Sequence, residues 1–213
     1  MSDSARKYVT ELIGTFFLVF TVITAVNAPG QTNLAPLGIG AALMVMIFAG
    51  GHISGAHYNP AVSIAVYIRG RLDASDLLPY IGAQLVGSVL AALLGLWMFD
   101  DSAAPHWTGK ALSMALVVEI LFTFALAYVV LNVATSKDHP DNSFYGLAIG
   151  FTVAAGAIAV GSISGAAFNP AVAIGISVAQ MSSWGNLWVY LVAQVVGAGL
   201  AGITFKALNP SDA

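Results

Sequence analysis

The chain has 213 residues, 58% of them hydrophobic and only 8% charged, with a formal net charge of −3. Soluble domains carry about 25% charged residues, so a water-soluble globule is excluded, and no basic patch exists to recruit nucleic acid. The sequence has no cysteine, which removes a disulfide framework and any thiolate metal site.

Six apolar runs follow one another along the chain: Tyr8–Asn27, Leu34–Ile53, Leu77–Phe99, Ala111–Ala134, Phe144–Ile163 and Leu187–Ala207. Each approaches the roughly 20 residues that span a bilayer as a helix, and none alternates as a membrane-barrel strand would. The first run, with Arg6 and Lys7 before it and small residues near Ala28, has the outline of a secretory signal. Glu11 inside that run, matched by Glu119 in the second half, argues against removal. Two shorter segments, Asn59–Ile68 and Asn169–Ala179, cannot cross and are predicted half-spans. With the amino terminus cytoplasmic, Arg6, Lys7, Arg69, Arg71, Lys137 and Lys206 all fall inside and only Lys110 outside, which orients the chain with both termini in the cytoplasm.

The half-spans begin with the same phrase, SGAHYNPAV from Ser54 and SGAAFNPAV from Ser164, with asparagines 110 positions apart (59 and 169). The likeness extends further. Glu11-x-x-x-Thr15-Phe16 matches Glu119-x-x-x-Thr123-Phe124, Tyr80 matches Tyr190, and Ala83-Gln84-Leu85-Val86-Gly87 matches Ala193-Gln194-Val195-Val196-Gly197. The chain therefore reads as one membrane domain built of two repeats, about 1–104 and 105–213. Three full spans per repeat is an odd number, so the second copy is inverted, and inverted repeats put the functional site near the bilayer midplane.

Asn59-Pro60-Ala61 and Asn169-Pro170-Ala171 carry the chemistry. Asn is a strong helix N-cap through its side-chain oxygen, and Pro is favoured at the first helical position. The preceding Ser-Gly-Ala is expected to be extended, leaving carbonyls along a lumen, the setting that tolerates irregular backbone at membrane depth. With its oxygen tied to the cap, each Asn amide is free to donate into that lumen, where two half-helix dipoles present positive ends. Glu11 and Glu119 are the only acidic residues within the spans. They read either as a proton relay or, given one per repeat, as acceptors that brace the half-span loops. His52 and His57 precede the first motif, whereas Ser162 and Ala167 stand in the second. Two histidines without a nearby acid or thiolate do not make a metal site. His57 fits a hydrogen-bonded structural role, or a gate if it reaches the cytoplasmic mouth. Small residues four apart, as in Gly87-Ala91-Gly95, Gly146-Gly150 and Gly197-Ala201, suit close helix packing.

The paired NPA phrases, GHISGAHYNPAV from Gly51 and one Glu opening each half resemble the aquaporin (major intrinsic protein) family over essentially the whole chain. The resemblance implies an all-α membrane fold, a right-handed bundle of six transmembrane helices plus two re-entrant half-helices. It implies a pore in each subunit of a homotetramer, passing water and small neutral solutes across the lipid bilayer, with no cofactor, no metal and no catalysis. By position, Asn59 and Asn169 would orient water, and Glu11 and Glu119 would hold the loops. The family's outer selectivity filter would fall on Ile39, Ala157, Ala166 and Val172. None of these is aromatic or charged, and Val172 occupies the usual arginine slot. That departure implies a wider constriction, admitting ammonia, hydrogen peroxide, urea or glycerol besides water, unless another donor takes the arginine's place. Some plant vacuolar members resemble this chain in having valine there. A proton-coupled transporter is the alternative from another class, and a junctional protein with a vestigial pore is a third, disfavoured by the short polar loop Asp100–Gly109. The expected location is the cell (inner) membrane.

Overall fold

A computed structural model describes residues 1–28, 32–99 and 104–212, with Thr32 by its backbone alone. Part of the loop 100–109 therefore lies outside the described residues. Among the described residues, eight α-helices follow in order: α1 Asp3–Asn27, α2 Ala35–Ser54, α3 Pro60–Arg69, α4 Ala74–Met98, α5 Gly109–Val130, α6 Tyr145–Ser164, α7 Pro170–Val178 and α8 Leu187–Leu208. Six are long and apolar enough to cross a membrane, since 20 residues at 1.5 Å rise cover about 30 Å. Helices α3 and α7, at 10 and 9 residues, are half that length.

The helix ends follow local chemistry. Helix α1 starts at Asp3, ahead of the first apolar run, because the Ser2 hydroxyl accepts the Ala5 N–H at 3.2 Å. Helix α5 continues into a π-helical turn, Leu131–Thr135. There Asn132 and Thr135 donate from their side chains to the carbonyls of Tyr128 and Leu131 at 2.8 and 2.6 Å, which absorbs the loosened ladder. Helices α2 and α6 both stop at a glycine with φ +82°, Gly55 and Gly165, a conformation that costs glycine little.

Long-range pairs fix the sidedness. Lys7 on α1 meets Asp76 on α4 at 2.9 Å, and Tyr8 donates to the same carboxylate at 2.7 Å. Arg69, ending α3, meets Asp212 beyond α8 at 2.7 Å. Both termini therefore lie on one face, as do the other basic residues apart from Lys110. Trp97 at the end of α4, Trp184 in the turn before α8 and Trp188 in its first turn are exposed at the opposite face, as expected of an interfacial aromatic belt.

Close packing joins α1 to α4, α5 to α8 and α2 to α6. The small residues permit it. A Cβ on Gly87 would collide with the Leu12 carbonyl, one on Gly197 would lie 2.7 Å from the Ile120 carbonyl, and one on Gly40 would lie 2.6 Å from the Gly150 carbonyl. The first two contacts tighten each half within itself and the third, α2 on α6, joins the halves back to back, with α3 and α7 inside.

Candidate pore site

The two loops before α3 and α7 are built alike. Ala56 and Tyr58 have φ near +50°, and so do Ala166 and Phe168. The expectation of an extended segment is therefore corrected: left-handed residues recur through each loop. A run of this kind turns successive N–H groups toward one point and makes an anion-binding concavity. The anion is a carboxylate from the first helix of the same half. Glu11 accepts from His57 N at 2.9 Å, Tyr58 N at 2.7 Å, Ser54 Oγ at 2.7 Å and Gln84 Nε2 at 2.8 Å. Glu119 accepts from Ala167 N at 3.0 Å, Phe168 N at 2.8 Å, Ser164 Oγ at 2.7 Å and Gln194 Nε2 at 2.9 Å. Both carboxylates are fully buried, and neither borders the central cavity. Each non-glycine left-handed residue costs on the order of 1–3 kcal/mol, and the carboxylate contacts offset that cost. Tyr80 and Tyr190 complete the match by donating to the carbonyls of Ser54 and Ser164.

The asparagines then cap the half-helices. Asn59 Oδ1 accepts from Ala61 N at 2.8 Å, and Asn169 Oδ1 from Ala171 N at 2.9 Å. Their amides do more than the sequence suggests. Asn59 Nδ2 donates to the Phe168 carbonyl at 3.0 Å, and Asn169 Nδ2 donates to the Tyr58 carbonyl at 2.9 Å. Each tip thus fastens the other loop with one N–H and keeps a single N–H for the lumen, where the sequence implied a wholly free amide. Pro60, Ala61, Pro170 and Ala171 are buried behind the tips.

A cavity of about 340 Å³ passes both tips. It is lined by Asn59 and Asn169, by His57, and by all four residues of the expected outer filter, Ile39, Ala157, Ala166 and Val172. No Arg or Lys borders it among the described residues, so no cation there replaces the filter arginine. At the terminus-bearing face the lining becomes polar, with His52, His139, Asp141, Asn142 and Tyr145. A second cavity, about 500 Å³, opens there and shares His57 and His139 with the first. The His57 ring is held by Ser63 Oγ, 3.0 Å from Nδ1, and packs on Tyr80 at 5.1 Å between centroids. It is both a hydrogen-bonded histidine and a lining residue.

The glutamine and tyrosine partners were legible only as repeated positions without a role. Ser88 was not legible at all: its hydroxyl donates to the Ala171 carbonyl at 2.6 Å, and its mate in the second half is Ala198, which has no hydroxyl. The rim at the termini is tied by Asp212. Burial opposes its charge, but Lys137 N–H, Arg69 and Ser136 hold its carboxyl well below the ordinary 3.8. Arg69 also donates to Thr135 in the π turn at 2.9 and 3.0 Å.

Comparison with known proteins agrees with this geometry. The family model for the major intrinsic protein matches residues 1–205. A glycerol uptake facilitator-like protein of Lactiplantibacillus plantarum is 40% identical, covering 97% of this chain and 100% of its own. A probable aquaporin of Arabidopsis thaliana is 34% identical over 97% of this chain and 76% of its own. The X-ray structure of the aquaglyceroporin from Plasmodium falciparum superposes with a TM-score of 0.80 at 23% identity, covering 98% of each chain.

Proposed function

The chain belongs to the major intrinsic protein family, and from that premise we propose how its residues divide the work of a pore. The protein is a passive transmembrane channel for water and small neutral solutes. Asn59 and Asn169 each present one N–H to a molecule in single file, and the two opposed half-helix dipoles disfavour cations at that level. Proton exclusion rests on the same pair. Glu11 and Glu119 brace the loops and carry no protons, a role supported by four hydrogen bonds to each and by their separation from the lumen.

Ile39, Ala157, Ala166 and Val172 form the outer filter. Aliphatic side chains there give no donor to replace hydration and no charge to repel cations, so selection rests on size and on the cost of shedding water. Ammonia, hydrogen peroxide, urea and glycerol are the candidate solutes. His57 stands at the cytoplasmic mouth. The domain comprises two repeats, about 1–104 and 105–213, and the protein is a homotetramer in the cell (inner) membrane with both termini cytoplasmic, an orientation supported by the basic residues on that face. It has no catalytic role.

The observation that carries this reading is the continuous cavity past two mutually fastened amide tips. The test is stopped-flow light scattering of proteoliposomes under an osmotic step and under inward solute gradients. Fast shrinkage, with solute flux linear in concentration, is expected. Saturable uptake driven by a pH gradient would overturn the reading in favour of a transporter.

A further inference from the structure

The repeat duplicates more of the lumen wall than its tips. Each outer-filter residue has a mate 110 positions away: Ile39 with Ile149, Ala157 with Ile47, Ala166 with Ala56, and Val172 with Val62. All eight line the same cavity. Inversion carries each residue to equal depth on the other side of the Asn59–Asn169 level, so a second aliphatic ring, Ile47, Ala56, Val62 and Ile149, lies toward the terminus-bearing face.

Three of the four pairs keep the same residue, but at the fourth Ile47 faces the lumen where the outer ring has Ala157. His57 lines the same cavity, its mate is Ala167, and the Ser63 contact fixes that imidazole. Accessibility agrees with the bulk. Ile47 and Ala56 are 3% and 6% exposed, whereas Ala157 and Ala166 are half-buried. The inner ring, on the side of the termini, thus carries three more side-chain carbons than the outer one.

We propose that the inner ring of Ile47, Ala56, Val62 and Ile149 sets the upper size of the neutral solutes this pore passes, with Ile47 as the specificity-determining residue. The inference rests on the channel reading above. A ring of aliphatic groups offers no hydrogen bonds, so a solute crossing it sheds hydration at its narrowest point, and constrictions of this kind also exclude ions by dewetting. Compact solutes with few polar groups pass. Polyols, which bring several hydroxyls to be stripped at once, pass more slowly, and Ile47 is where they are slowed.

Ile47→Ala and Ile39→Ala remove the same three carbons from the inner and outer rings, and comparing them is the test. Both are reconstituted in proteoliposomes, and the ratio of glycerol to water permeability is read by stopped-flow light scattering. The expected result is a severalfold rise in that ratio for Ile47→Ala and a clearly smaller rise for Ile39→Ala. Ala157→Ile adds bulk in place of a cavity, and it is expected to slow glycerol by less than Ile47→Ala speeds it, because it only brings the outer ring level with the inner one. A rise confined to Ile39→Ala, equal rises in both, no rise in either, or a collapse of glycerol flux in Ala157→Ile would each overturn the inner ring as the filter while leaving the channel standing. Wild-type water flux no faster than that of protein-free liposomes would overturn the channel reading and this inference with it.

Discussion

The two half-helix tips share one skeleton and differ in what surrounds it. Around each, a buried carboxylate gathers two backbone N–H groups, a serine and a glutamine, and an asparagine caps one helix while fastening the opposite loop. Beyond that skeleton they part. The first tip adds Ser63, which bonds to both His57 and Gln84. The second has Ala173 and Ala167 at those places and takes instead a bond from Ser88 to the Ala171 carbonyl. The backbone's demand for partners is common to both halves because a left-handed loop at membrane depth leaves N–H groups that must be paired. The contacts that differ lie outside that carboxylate cradle, so each end of the lumen can take its own chemistry.

If the skeleton is what the halves share, breaking it should hurt them equally. Glu11→Ala and Glu119→Ala each strand two buried N–H groups, at about 1–3 kcal/mol apiece. Thermal unfolding in detergent should show losses of about 2–6 kcal/mol in both. A large loss in one and none in the other would break the equivalence. Next, Asn59→Asp and Asn169→Asp replace a donor with an anion facing a carbonyl. Both should lower water flux and admit cations in vesicle conductance assays, and unchanged flux with intact ion exclusion in both would reject the role given to the amides.

Smaller effects sharpen the difference between the tips. Ser88→Ala removes one bond at the second tip alone and should cost about 0.5–1.5 kcal/mol. If hydrogen exchange instead loosens the first loop, 55–58, more than the second, 165–168, the assignment to one tip is wrong. The smallest expected effect concerns pH. The Asp212 carboxyl is held below 3.8 in the folded chain. Its contribution to stability is thus full above the ordinary carboxylate range and is lost only as pH falls through the lowered value. Exchange protection of residues 136–138 should be unchanged between pH 7 and pH 5, and loosening in that window would contradict the clamp.

Much of the fold was legible because its signals are long or repeated. Six apolar runs gave the spans to within a few residues, and the Asn-Pro pairs marked both half-helix starts, since capping is written in the residue itself. The left-handed loops were not legible. Ala56, Tyr58, Ala166 and Phe168 are not residues that favour positive φ, and only the carboxylate across the fold explains their conformation. That each asparagine keeps only one N–H free also escaped the sequence, because the other N–H is bound to a carbonyl in the opposite half. Ser88 left no trace, being a lone hydroxyl in an apolar run whose mate, Ala198, has none.

The central claim is that a lumen runs past both tips. Because the chain has no cysteine, Val172→Cys places a single thiol in the first turn of α7, where Val172 borders the cavity. Reaction with a bulky methanethiosulfonate reagent should abolish most water flux in stopped-flow measurements, with recovery on reduction. Complete labelling, verified by mass spectrometry, with undiminished flux would mean that water does not pass this residue and would contradict the account.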